Sequence, residues 1–141
     1  MRTLILTILL CLLLFGCSDV VTRHYKTYND AVSDQLFGRG GLPEFIPTSS
    51  FNIKTSNNLD LNTSEGEFSF PPTDTQAFAS KLHPYSGRKS PYVEYDKVVK
   101  KRINQGYTPY EYTKDSSIWV FFLSADKGHA YYDLWMERKG S

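Results

Sequence analysis

Apolar residues run unbroken from Leu4 to Phe15, apart from Thr7, after a single cation at Arg2. Beyond this opening, apolar positions come in short periodic groups divided by proline, glycine and polar stretches. Tyr28, Ala31, Val32 and Leu36 stand at i, i+3, i+4 and i+8, a spacing that predicts a helix over 24–37, closed by Gly38, Gly40 and Gly41. Leu42-Pro43-Glu44-Phe45-Ile46-Pro47 is apolar but bracketed by prolines, which fix φ and push the preceding residue to extended geometry. It reads as an irregular strap laying Leu42, Phe45 and Ile46 against a surface. Thr48-Ser49-Ser50 predicts a turn or cap before one helical turn at 51–53. Asn57-Asn58 predicts a turn, followed by a strand over 65–70 with Phe68 and Phe70 on one face. Pro71-Pro72 ends that strand, and a helix follows to about Leu82, with Phe78 and Leu82 one turn apart. Residues 83–91 read as a loop. Tyr92, Tyr95, Val99 and Ile103 predict a helix over 92–105, capped by Gly106. Residues 107–112 read as extended. Ile118 to Leu123 is β-branched and aromatic throughout, the pattern of a central strand covered on both faces. A turn at 124–128 returns the chain as a second strand over 129–136, and 137–141 is a polar tail.

These elements predict an α+β fold: a three- to four-stranded antiparallel sheet, the hairpin near 117–136 at its centre, and about three helices packed on one face.

The opening run is too short to span a hydrocarbon core of about 30 Å as a helix. It has the form of a signal-peptide core. Leu14-Phe15-Gly16-Cys17 closes it and resembles the bacterial lipoprotein signal. That resemblance implies cleavage between Gly16 and Cys17, and a diacylglycerol thioether on Cys17. The expected boundaries are a signal peptide over 1–16, a tether over 17–23 and a single domain over 24–141. Ser18 follows the cysteine where enteric bacteria place Asp to retain lipoproteins in the inner membrane. By resemblance to that rule the protein goes to the outer membrane, facing the periplasm.

Charge and cysteine count narrow the chemistry. Loss of Arg2 takes the basic residues from 16 to 15, against 15 acidic ones. A neutral balance argues against nucleic acid as a partner, which requires excess Lys and Arg. Cys11 leaves with the signal and Cys17 is acylated, so the mature domain has no disulfide and no thiolate metal site. Packing of its many Tyr and Phe rings must hold the fold.

The pattern Gly41-Leu42-Pro43-x-x-Ile46-Pro47-x-Ser49-Ser50-x-x-Ile53, then Asn58-Leu59-Asp60-Leu61-Asn62, then Phe68-Ser69-Phe70, resembles the YbbD-head-like family of small bacterial lipoproteins and secreted proteins. It departs from that family at Gly41, usually Trp, and at Ser50, usually Ala. The resemblance implies a fold unit and no particular activity.

Candidate sites are few. Asp60-x-Asn62-x-Ser64 opens like a calcium loop, but Glu65 stands where the sharp-turn glycine is needed and Pro71 where the bidentate glutamate is needed. His24, His83 and His129 have no metal-ligand spacing, and no motif pairs them with a nucleophile. Lys97, Lys100, Lys101 and Arg102 suit either a solvated helix end favoured by the dipole or an anionic partner. Phe121, Tyr131, Tyr132 and Trp135 suit either core or a binding face. Leu42, Phe45 and Ile46 are the candidate interaction surface, with closure of the core as the alternative. No catalytic residue, metal site or cofactor is expected. The expected function is a non-enzymatic lipoprotein, held to the membrane through Cys17, that binds an envelope protein or cell-wall polymer. The alternatives are a small envelope hydrolase using Asp60 or Glu65 with a histidine, and an inhibitor or immunity-type protein.

Overall fold

The computed structural model of the protein describes residues 19–39 and 41–138. Gly16 and Cys17, the expected cleavage and lipidation residues, lie outside the described residues, as does Gly40. The elements in chain order are β1 (Val20–Thr27), α1 (Tyr28–Ser33), β2 (Phe51–Asn58), β3 (Thr63–Ser69), α2 (Thr75–Ala79), β4 (His83–Pro84), α3 (Tyr95–Asn104), β5 (Thr108–Lys114), β6 (Ser117–Ser124) and β7 (His129–Met136). All strands join one antiparallel sheet in the order β1-β2-β3-β7-β6-β5-β4.

The expected three- to four-stranded sheet with about three helices on one face is therefore overturned. The sheet has seven strands, the helices are short, and they flank both faces. The error lies mainly in two segments. Residues 24–37 were expected to be helical and 17–23 a tether, yet β1 takes residues 20–27 and α1 is only six residues long. Of the helical stripe, Ala31 is buried within α1, while Val32 stays 48% exposed and Leu36 packs from the turn beyond. Val20-Val21-Thr22 favours extended backbone, and β1 pairs with β2 from Val20 opposite Asn58 to Thr27 opposite Phe51. Thr27 then ends the strand and caps α1, its Oγ1 accepting from the Asp30 N–H while Asp30 accepts from the Thr27 N–H. The helical turn expected at 51–53 is instead the start of β2. A bulge lies between Phe51 and Lys54, with Asn52 at φ +50°, a conformation asparagine tolerates better than most residues.

The hairpin at 117–136 does form the middle of the sheet, and β6 is buried on both sides. Trp119, Phe121 and Leu123 join a large core with Phe68, Phe70 and Phe78, closed by α1, α2 and the strap. Phe78 and Phe121 meet edge-on, 5.3 Å between ring centroids. Ile118, Val120 and Phe122 face the other way and meet Tyr95 and Val99 of α3, together with Trp135. The end of α3 follows expectation. Gly106 takes φ +89°, its N–H donates to the Ile103 carbonyl, and the Tyr107 N–H donates to the Arg102 carbonyl.

The loop after β4 is pinned by Glu111, a buried residue of β5. Its carboxylate accepts from the Ser86 N–H at 2.9 Å, the Ser86 hydroxyl at 2.8 Å and Arg88 Nε at 3.2 Å. Burial acts to raise its pKa, and these donors together outweigh burial and hold it below the ordinary value. Its contribution to stability is thus complete above the unfolded carboxylate range and lost as pH falls through the lower folded value. Glu111→Gln is expected to cost about 1–2 kcal/mol at pH 7. Urea unfolding of the two proteins at pH 7 and near pH 3 checks this, and the difference should shrink in acid.

The second core covers only half of its face. No residue of β1, β2 or β3 belongs to it, and Thr22, His24, Lys54 and Glu65 on that side are exposed. The sheet thus presents an open half beside α3.

Candidate functional site

Strand alternation and register fix what lies on the open half. Two rows cross it from β1 to β7. One is His24, Lys54, Glu67 and Tyr131; the other is Thr22, Ser56, Glu65 and Asp133. Both rows end against α3, where Val98 and Arg102 border the strands. All of these residues except His24 line a cleft of about 320 Å³.

Charge in the cleft is mixed and partly ordered. The Arg102 guanidinium lies 3.4 Å from the Tyr131 ring centroid, stacked over its face. Lys54 Nζ meets Glu67 Oε1 at 3.1 Å, and Glu67 Oε2 faces His129 Nε2 at 3.5 Å. His129 Nδ1 lies 3.1 Å from the Tyr107 hydroxyl. Burial lowers the His129 pKa, the nearby Glu67 opposes that, and the net direction is down. The imidazole is therefore a neutral, hydrogen-bonded ring at pH 7. The Tyr95 hydroxyl donates to Asp133 Oδ2 at 2.8 Å. Asp133 is half-buried, and burial pushes its carboxyl up to about 6; Glu65 beside it adds to the rise, while Tyr95 and Arg102 oppose it. Glu65 and Asp133 thus set two carboxylates side by side on neighbouring strands of the cleft, one of them with a raised pKa.

The residues singled out in the sequence fall elsewhere or divide. Leu42 and Ile46 are each 1% exposed and belong to the core. Phe45 is half-buried, its ring edge-on to Tyr112 at 4.6 Å and tilted against Phe78 at 6.2 Å. Of that expected surface Phe45 alone stays partly exposed, while Leu42 and Ile46 pack into the core. The aromatic set splits by strand face. Phe121 and Tyr132 lie in the strap-side core, while Trp135 lies in the second core with Tyr131 at its rim. In the basic cluster, Lys97 pairs with Glu94, Lys100 and Lys101 are exposed, and Arg102 enters the cleft. Asp60 stands at the exposed β2–β3 turn, away from any histidine contact, so the Asp60–histidine pairing is not formed. Glu65 does join a carboxylate neighbour, Asp133, and Glu67 joins the histidine.

Asp133 was missed. Its signal was present: on β7 it shares the odd-numbered face with Tyr131 and Trp135, a carboxylate between two rings on one side of a strand. Among the described residues no cluster of His, Cys, Asp and Glu is arranged to hold a metal ion, and no helix is long and apolar enough to cross a membrane.

No curated protein and no solved structure matches the chain. Residues 19–69, from the residue before β1 through the strap to the end of β3, match the family model of the YbbD head domain, so the YbbD-head resemblance read from the strap, the Asn-Leu-Asp turn and the Phe-Ser-Phe strand holds.

Proposed function

We propose that the protein is a lipid-anchored bacterial envelope protein, held at the outer membrane through Cys17 and facing the periplasm, that binds a cell-wall polymer in the cleft beside α3. The observation that carries the reading is the open half of the sheet: β1, β2 and β3, all within the matched segment, present Lys54, Glu65 and Glu67 to solvent beside Arg102 and Asp133 from the rest of the chain. Two cations, Lys54 and Arg102, stand there beside three carboxylates, Glu65, Glu67 and Asp133. A ligand that carries carboxylates, amines and hydroxyls along one chain, as the peptide stems and sugars of a cell wall do, complements that pattern. The test is co-sedimentation of the mature protein with purified cell-wall sacculi. Charge reversal at the two walls, Arg102→Glu and Glu65→Lys, is expected to weaken binding at least tenfold. Binding unchanged in both variants would remove the cleft from the function.

A second reading, a carboxylate hydrolase of the same polymer, is favoured by one observation, the placing of the half-buried Asp133 directly opposite Glu65 in the cleft, where burial raises the Asp133 pKa. A carboxylic acid near pKa 6 is suited to protonate a leaving group. Release of soluble fragments from sacculi, abolished by Asp133→Asn, would establish this reading over simple binding.

A further inference from the structure

The turn between β2 and β3 is built in an unusual way for a solvent-facing turn. Turns are ordinarily filled by Gly, Asn, Asp and Ser. Here Leu59 and Leu61, 62% and 68% exposed, share it with the exposed Asp60 and Asn62. Neither leucine packs into the core, and the turn is held without them. The Leu59 N–H donates to the Asp19 carbonyl at 3.1 Å, the Leu61 N–H donates to Asn58 Oδ1 at 3.1 Å, and Asn62 adopts φ +50°. Val20 and Val21, 44% and 37% exposed, adjoin them at the start of β1, opposite Asn58 and Asn57 and on opposite faces of the sheet. The β5–β6 turn at this same end exposes Lys114 and Asp115, and the β6–β7 turn at the opposite end exposes Ala125, Asp126 and Lys127 without a leucine or valine. Single exposed apolar side chains need no explanation. Four at one end of the sheet, around the point where the chain leaves the domain, do.

What lies there follows from chain length. Asp19 is fixed against the turn, and Cys17 is two residues earlier. Two residues of extended chain reach at most about 7 Å. If Cys17 carries acyl chains, its backbone is at the headgroup level, and the turn cannot stand far from it.

We propose that Leu59 and Leu61, with Val20 and Val21 beside them, form a membrane-contact tip that enters the bilayer interface next to the acylated Cys17 and sets the domain upright. The occupant of this patch is the lipid surface itself. The inference rests on acylation of Cys17, the anchor in the reading above. Its consequence is an orientation. With strands rising about 3.3 Å per residue, Glu65 and Glu67 stand roughly 7 and 13 Å above the turn. The cleft then opens sideways, just above the headgroups.

The test places single spin labels on the mature acylated protein in vesicles of phosphatidylethanolamine and phosphatidylglycerol. With Cys17 acylated and Cys11 removed, Leu61→Cys and Asp126→Cys each supply one reactive thiol, both on exposed turns that tolerate substitution. The label at 61 is expected to be at least fivefold less accessible than the label at 126 to a water-soluble nickel relaxant, and more accessible to oxygen. Equal aqueous access at both positions, with the Cys17 peptide carrying its lipid mass, would overturn the membrane tip and leave the anchor intact. A Cys17 peptide without lipid mass would overturn the anchor and the tip together.

Discussion

Gly66→Ala is expected to cost more than about 3 kcal/mol, a large share of the roughly 5–15 kcal/mol that holds a typical domain folded. A Cβ at this position would lie 2.0 Å from the Lys54 carbonyl oxygen and 2.8 Å from Cε1 of Tyr132. Neither neighbour has room to give. The Lys54 oxygen is backbone, next to the bulge that sets the β2–β3 register. Tyr132 is 1% exposed and its hydroxyl is 2.9 Å from Ser64 Oγ, within a core of close-packed rings. The strand pair must part, and with it the two carboxylates that flank Gly66, Glu65 and Glu67. Chemical denaturation of the purified variant measures the loss. Tyr132→Phe is the comparison: it deletes only the hydroxyl and should cost about 1 kcal/mol. A Gly66→Ala protein within 1 kcal/mol of wild type would mean that β2 and β3 slide apart freely at the bulge.

The same glycine marks where the sequence stops being readable. Phe68 and Phe70 announce a strand, and alternation places them on one face correctly. Nothing in residues 63–69 says that a tyrosine more than sixty positions later must lie across a bare backbone. The central hairpin was legible because its signal is local: six apolar β-formers, a Gly-containing turn, then a return strand. Both termini of α3 were within a few residues of expectation for the same reason. β1 and β2 were not legible. Val20 to Thr27 and Phe51 to Asn58 are polar, exposed on one side, and become strands by pairing with each other and with β3. Their hydrogen-bond ladder is long-range information, which overrides the helix expected at 24–27 and leaves 28–33 helical.

The candidate cleft was half legible. Glu65 and Arg102 were both singled out, but as members of other groupings, a carboxylate–histidine pair and a basic helix end. Only register brings them to one place, because Glu65 stands opposite Asp133 and Tyr131 lies under Arg102. The strap left two readings open, binding surface or core closure. Proline brackets fix its shape but do not say which side of it faces water, and the apolar side chains of Leu42 and Ile46 went inward, as burial favours.

Asp133→Asn is expected to make the protein more stable at pH 8 and to leave it nearly unchanged at pH 4. The folded carboxyl has a pKa of about 6, raised by burial first and by Glu65 second, against 3.8 ordinarily. Between those values the folded protein holds a proton that the unfolded chain has released. Stability therefore falls as pH rises from about 4 to about 6, and stays reduced above that. The full shift converts to a ceiling of about 3 kcal/mol. For a half-buried carboxyl near Arg102, about 1–2 kcal/mol is the reasonable expectation after screening. Asparagine removes the buried charge and keeps an oxygen to accept from the Tyr95 hydroxyl. Denaturant midpoints of both proteins across pH 4–8 check the sign and the window. A variant no more stable than wild type at pH 8 would mean that the carboxylate is adequately paired, and that Asp133 only clasps Tyr95 to the sheet. A more stable variant would place a standing electrostatic cost in the cleft and not in either core. Such a cost is relieved when a ligand brings an amine or hydroxyl donor to the carboxylate, so a bound cell-wall peptide should lower the Asp133 pKa and bind more tightly above pH 6 than below it.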